Sequence, residues 1–426
     1  MISIGTTRAQ KRLIMGTPNI SPGAVASEIQ VIEGPGVHIE ADAVSQLRRI
    51  AGLPGCVRAV GMPDLHPGPG IPIGMATAST SHVHPVLVGS DAGCGVTAVV
   101  ARKLVAPGKQ LRRIDAATAD PEPLPVDPID ALEAAWHGGP RGLAALPGMP
   151  EALREWVDTV AWGEPLGPSG PIPDVLREAR HGEALGTTGG GNHFIELARV
   201  DQVVEDDALP GLHRGAHVVL AHSGSRGLGY ALILRWQEKA LHQAQEIATY
   251  LGELAGCCRF AQANRALLVW RVLQAVGAGR VDRLGGTLDL VHNDVRPSEH
   301  DDGTWVHRKG AAPARAGELT VTLGSRGNPS WILRGRGDAA HLCSVAHGAG
   351  RKIPRSEAKA RLLHRYRKTD LTRTALGGRV LCDRPELLWE EHQDVYKPIE
   401  PVVAALEHAG VATRVASLVP MVTVKR

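Results

Sequence analysis

Five side chains able to hold a metal sit in glycine-bounded segments far apart in the chain. They are Asp91 and Cys94 in GSDAGCGV, His193 in GTTGGGNHFIEL, His222 in HSGSRGLG and His292 in VHNDV. Carboxylate, thiolate and imidazole suit a borderline divalent cation such as zinc or manganese, and a thiolate can bridge two ions. Glycine within two positions of all but His292 lets the backbone approach a ligand closely. A single histidine in such a setting is more often a satisfied turn or core residue. The repeated loop character is what points to a metal site. A further histidine, His347, stands in HGAGR against two glycines and Arg351. An imidazole there could attack a nucleoside triphosphate and form a phosphoramidate. The glycine amides and the arginine would stabilise charge on the transferred group. Taken alone, HGAGR reads equally well as a plain turn.

GSRG occurs twice, at Gly224–Gly227 and Gly324–Gly327, and HRKGA runs from His307 to Ala311. Hydroxyl, arginine and glycine together suit an anion nest, and Arg308 and Lys309 are phosphate-contact candidates. Each also reads as an ordinary turn or an exposed basic loop. The run from Arg351 to Lys368 is strongly basic and follows directly on His347. It is either a solvated helix face or a surface for a polyanion.

These residues need rigid elements to hold them. Residues 29 to 100 alternate short apolar runs with Gly/Pro turns, which predicts short strands with functional loops. The stretch from about Pro107 to His181 is rich in Pro, Ala and Gly. It reads as an inserted or peripheral region interrupted by one helix at about Glu151–Trp162. AHVVLA (216–221) reads as a strand running into SGSRGLG. Helical spacing then covers about Tyr230 to Val276, with a break expected near Gly256. LDLVHNDV, WVHRKGAAPA, LTVTLGSRGNPSWILRG and HLCSVAHGAG read as strand-then-loop units. A helix over about Ile399–His408 precedes a strand in RVASLVPMVTVKR. The pattern predicts a single α+β domain with loops converging on one face.

Composition narrows the class. The chain has 426 residues, 50 of them Gly and only 2 Phe, which disfavours recognition by aromatic base-stacking platforms. A net charge of +3 names no partner. The six cysteines lack paired spacing, the N-terminal MISIGTTRAQKRLIMG has no apolar leader core, and no apolar run suits a bilayer. A reducing, cytoplasmic setting is expected, in which Cys94 stays a thiol or thiolate.

With these motifs in order, the chain resembles the RtcB family of RNA ligases. The matching stretches are Met62–Gly74, VGSDAGCGV, GTTGGGNHFIEL, HSGSRGLG, Ala263–Arg265, VHN, HRKGA, GSRGNPS, HGAGR, Tyr396–Lys397 and VPMVTVKR. The resemblance implies an α+β fold with central sheets flanked by helices. It implies a ligase that uses GTP and two manganese ions to join RNA 3′-phosphate or 2′,3′-cyclic phosphate ends to 5′-hydroxyl ends. By motif, Asp91, Cys94 and His193 would bind one ion, and Cys94, His222 and His292 the other. His347 would become guanylylated. Asn192, Phe194, Ile195, Glu196, Asn293, Leu323, Gly324, Ser325, Arg326, Ser330, Gly348, Ala349, Gly350 and Lys425 would contact the nucleotide, with Glu196 reading guanine. Asp64, Arg226, Lys309 and Arg351 would position phosphates, and the basic run would grip RNA. An archease-like activator is a further partner the family suggests.

Several positions depart from the family pattern. Leu323 and Arg326 replace Pro and Met in the nucleotide loop, Ala92 and Val96 flank Cys94, Ala312–Pro313 follow HRKGA, and Asp394–Val395 precede Tyr396. Arg426 stands where the family has glycine after the lysine. These changes resemble the release-factor-coupled branch, which implies RNA repair over tRNA splicing. A metal-dependent phosphoesterase that opens cyclic phosphates without ligation is the alternative reading.

Overall fold

The computed structural model describes residues 27–104, 111–163, 167–300 and 303–426. The N-terminal stretch read above for a leader core, and Pro107–Gln110, lie outside these residues. Two sheets carry the site. The larger runs in the order β11 (Leu319–Thr322), β12 (Ser330–Gly335), β15 (Ala412–Lys425), β5 (Phe194–Val203), β6 (His217–Ser223), β4 (Gly95–Ala101), β7 (Leu284–Val291), and β14 (Arg379–Cys382) also pairs with β15. The smaller runs β1 (Glu28–Val31), β2 (Cys56–His66), β3 (Ile73–Ser79), β9 (Trp305–Lys309), β8 (Asn293–Pro297). A short ribbon pairs β10 (Ala311–Pro313) with β13 (Ser344–Ala346).

The helices are α1 (Ala41–Ala51), α2 (Leu111–Ala119), α3 (Pro128–Ala144), α4 (Glu151–Thr159), α5 (Ala179–Glu183), α6 (Gly227–Trp236), α7 (Ala244–Ala275), α8 (Arg355–Leu362), α9 (Pro385–Glu390) and α10 (Ile399–His408). The result is the expected α+β architecture, with α7 buried over the larger sheet. Among the described residues no helix is long and apolar enough to cross a membrane.

Three local expectations need correction. The helix α7 does not break at Gly256; the interruption falls earlier, between Trp236 and Ala244. Gly256 is there because the indole of Trp136 fills the space: a Cβ would lie 2.1 Å from its ring. The helix α1 was not expected; its stripe of Ala43, Leu47, Ile50 and Ala51 is short but fully used in the core. The region after Pro107 holds several helices, not one. Asp127 caps α3 by accepting from the Ile129 and Asp130 amides, with Pro128 at the first turn. Its breakers, Gly139 at φ 57° and Pro140, act as expected: α3 is two helical pieces that meet at a kink there. Trp136 and Trp156 of this region are buried against the helix layer, so it is part of the main core.

Candidate metal centre

Strand order explains why distant ligands meet. The strand β4 lies between β6 and β7, and β5 flanks β6, all antiparallel. The starts of β4 and β5 and the ends of β6 and β7 therefore share one edge. Val96 is in register with His222, His222 with Phe194, and Gly95 with Val291. Cys94, His193, His222 and His292 fall at that edge, and the His292 amide donates to the Cys94 carbonyl at 2.9 Å.

The side chains converge closely. Cys94 Sγ is 3.4 Å from Nε2 of both His193 and His222. His222 Nε2 is 3.3 Å from His292 Nε2, and His193 Nε2 is 2.7 Å from Asp91 Oδ2. Two ligand sets result, Asp91–Cys94–His193 and Cys94–His222–His292, with Cys94 common to both. Burial, then the neighbouring histidines, holds His222 well below the ordinary imidazole range; burial, then His347 and Arg265, does the same to His292. Both are neutral bases. Burial, and then the Asp91 charge, push the Cys94 thiol up. Several ring nitrogens and a sulfur facing one another leave no arrangement of protons that satisfies all of them, whereas a cation does. The mixed O, N and S donors fit a borderline divalent ion.

The loops are braced from behind by α7. Arg265, fully buried, donates from Nη1 to the carbonyls of Gly93 (2.9 Å) and Ser223 (3.1 Å) and pairs with Asp289 at 2.9 Å. Asn264 accepts from the Gly186 amide (2.8 Å) and donates to Ser223 Oγ (3.1 Å). A paired buried arginine of this kind fixes loop geometry at a high desolvation cost. Asn293 ties the other side, donating to the Asp91 carbonyl and accepting from the Gly310 amide.

His347 follows β13 and stands over the centre, its ring centroid 4.9 Å from that of His292. Its Nδ1 is 2.8 Å from Oδ2 of Asp64, a carboxylate with no exposure. The Leu323 amide donates to the His347 carbonyl, and Gly348 bridges to Leu323, so the loop Leu323–Ser330 is fastened to the histidine. Ser330 and Ser325 spend their hydroxyls inside that loop, on the Gly324 amide and the Asn328 amide group. Lys425 lies over the Phe194 ring at 5.3 Å. Glu196 accepts from Thr423 Oγ1 at 3.0 Å while its Oε1 has no partner, and burial raises its carboxyl to about 8. Asn192 is half-buried in the turn before β5.

A family profile described as tRNA-splicing ligase RtcB matches residues 46–125 and 170–426. The chain belongs to the RtcB family. It is 36% identical to the RNA-splicing ligase RtcB2 of an Escherichia coli strain, over 94% of this chain and 96% of that one. It is 30% identical to the tRNA-splicing ligase RtcB of Archaeoglobus fulgidus, covering 90% and 91%, and 31% identical to the RNA-splicing ligase RtcB of Mycobacterium tuberculosis, covering 89% and 100%. The stretch that the RtcB profile leaves out contains α3 and α4.

The remaining candidates divide. Arg226, at φ 59° just before α6, sits beside Asp91, and Lys309 sits near Asp91 and Cys94. Burial lowers Lys309 to about 8 against the pull of those two groups. Arg351 is directed elsewhere: it pairs with Glu391 at 3.0 Å and donates to the Glu390 carbonyl. Glu391 itself was not singled out in the sequence. It is fully buried and gathers Lys425 (3.2 Å), Arg351, Arg355 (3.3 Å) and the hydroxyl of Tyr396. Nothing local in EEHQDVYK marks it, because its cations come from distant segments. Beyond Arg351 and Arg355, Arg361 and Arg365 of the basic run are half exposed and pair with Glu357 and Asp394.

Proposed function

We propose that this RtcB-family protein is a cytoplasmic, GTP- and Mn2+-dependent RNA ligase that joins 3′-phosphate or 2′,3′-cyclic phosphate ends to 5′-hydroxyl ends, in RNA repair or tRNA splicing. The observation that carries the reading is a nucleophile candidate, His347, placed over two ligand sets that share Cys94. Asp91, Cys94 and His193 would hold one ion, and Cys94, His222 and His292 the other. Bound there, such ions supply Lewis-acid stabilisation of charge on phosphoryl oxygens.

The chain's own residues do the rest. Asp64 faces the Nδ1 side of His347 at 2.8 Å, an ion-pair contact without hydrogen-bond alignment, which leaves Nε2 as the attacking nitrogen. Attack on the α-phosphorus of GTP forms a P–N bond and expels pyrophosphate. The GMP passes to the RNA 3′-phosphate, and the 5′-hydroxyl displaces it to seal the strand. Glu196 and Lys425 hold the base, and the amides of Gly348–Gly350 line the nucleotide side of His347. Arg226 and Lys309 receive phosphate, and the basic surface after His347 holds RNA in a salt-dependent way.

The test is incubation with Mn2+ and GTP labelled at the α-phosphate, with and without an archease-like activator, followed by denaturing gels. An acid-labile GMP adduct that is lost in His347→Ala is expected. Opening of cyclic phosphates with no adduct would favour the phosphoesterase reading instead.

A further inference from the structure

Arg326 stands in the nucleotide loop where the family pattern has Met. It is 4% exposed, and its Nη2 donates to the Leu388 carbonyl at 2.9 Å. Its Nη1 is buried and has no partner. An unsatisfied buried guanidinium nitrogen costs free energy unless a ligand or water completes it. Its position says which ligand. The loop that carries it is fastened to His347 through Leu323. Its charge falls on Lys425, and it faces Glu391 and Tyr396. Glu196, whose carboxyl also feels the Lys425 charge, keeps an unpartnered oxygen, Oε1, that is equally buried.

An unpartnered carboxyl oxygen and an unpartnered guanidinium nitrogen thus both act on one lysine. A purine that offers N–H groups to a carboxylate and ring acceptors to cations is guanine, since adenine puts an amino donor where guanine has O6. We infer that Arg326 is a base-reading residue of this enzyme, its Nη1 donating to N7 of the guanine while Lys425 serves the O6 side and Glu196 the N1 and N2 donors. The inference rests on the ligase reading above and adds to it a purine contact: N7 is common to guanine and adenine, so Arg326 strengthens purine binding while Glu196 and Lys425 make the choice of guanine.

Arg326→Met replaces the guanidinium by an apolar chain of similar reach, which lets the pocket keep its packing. Guanylylation would be followed with GTP and with 7-deaza-GTP, which lacks N7. For the wild-type protein, 7-deaza-GTP should show a KM about tenfold above that of GTP. For Arg326→Met, the KM for GTP should rise by a similar factor with kcat nearly unchanged, and 7-deaza-GTP should suffer no further loss. Equal penalties on both nucleotides, or an unchanged KM for GTP, would overturn the inference. If Arg326→Met does not fold by thermal unfolding, Arg326→Lys enters the same comparison, since it too loses the forked donor. Absence of any adduct from the wild-type protein with GTP is a separate result, and it removes the ligase reading first.

Discussion

Asp64 and His347 form a carboxylate–imidazole pair beside the candidate metal ligands, with Oδ2 2.8 Å from Nδ1. The turn after the histidine closes directly on the same residue. Gly350 has φ 72°, and a Cβ there would lie 2.3 Å from the Asp64 carbonyl oxygen. Only glycine makes that approach without strain. A base that orients an imidazole fixes its tautomer and so which nitrogen attacks. Asp64→Ala should slow His347 guanylylation by roughly 100-fold at saturating GTP. Single-turnover labelling checks this, and an unchanged rate would remove Asp64 from the mechanism.

Gly224 allows Asp91 to reach the metal edge. A Cβ at Gly224 would lie 2.1 Å from Asp91 Oδ1. Gly224→Ala should push the carboxylate off His193 and weaken one ion, leaving the Cys94–His222–His292 set intact. Metal content after dialysis against Mn2+ should fall by about one ion in two. Two ions retained would show that Asp91 is dispensable as a ligand.

Glu391 links Lys425 to Arg351 and Arg355 of the basic run. Burial alone would raise its carboxyl, but Lys425, Arg355, Arg351 and the Tyr396 hydroxyl outweigh that and hold it down at about 2. An acid depressed in the folded state stabilises fully above its unfolded value, here the ordinary 4.5, and loses that contribution as pH falls toward 2. Glu391→Gln leaves buried cations uncompensated and should cost about 3–5 kcal/mol at neutral pH. Urea unfolding should show the gap between wild type and variant narrowing below pH 4.5. A gap that stays constant down to pH 3 would contradict this assignment.

How much of this is readable from sequence depends on how local the cause is. Cys94, His193 and His222 are legible because each stands close to glycine at the end of an apolar run, His292 because it ends the apolar run LDLV, and antiparallel strands must bring such ends to one edge. Gly256 misleads because its reason is the Trp136 indole, a contact made across more than a hundred residues. The helix α1 hides because four small or aliphatic residues in a Gly/Pro-rich setting look like one more short strand. Glu391 is invisible because Arg351, Arg355 and Lys425 give it meaning only once the chain is folded. The orphan nitrogen of Arg326 likewise exists only in three dimensions.

Under the proposed function, Glu196 should make nucleotide binding depend on pH. Burial raises its carboxyl to about 8, although the Thr423 hydroxyl and the Lys425 charge oppose the shift. The folded protein therefore keeps a proton that the unfolded chain releases above its ordinary 4.5, so this group lowers stability as pH rises from 4.5 toward 8. In the proposed reading guanine offers N–H donors to this residue and needs the ionised form, so binding should expel the proton. The Kd for a non-transferable GTP analogue should tighten with rising pH, by at most about tenfold per unit, and level off above about pH 8. Calorimetry in two buffers of different ionisation enthalpy should detect one proton released below that pH. Glu196→Gln should abolish both the slope and the proton release, bind the analogue more weakly, and melt higher than wild type at pH 8. A flat pH profile in the wild-type protein, or full affinity in the variant, would remove Glu196 as the reader of the base.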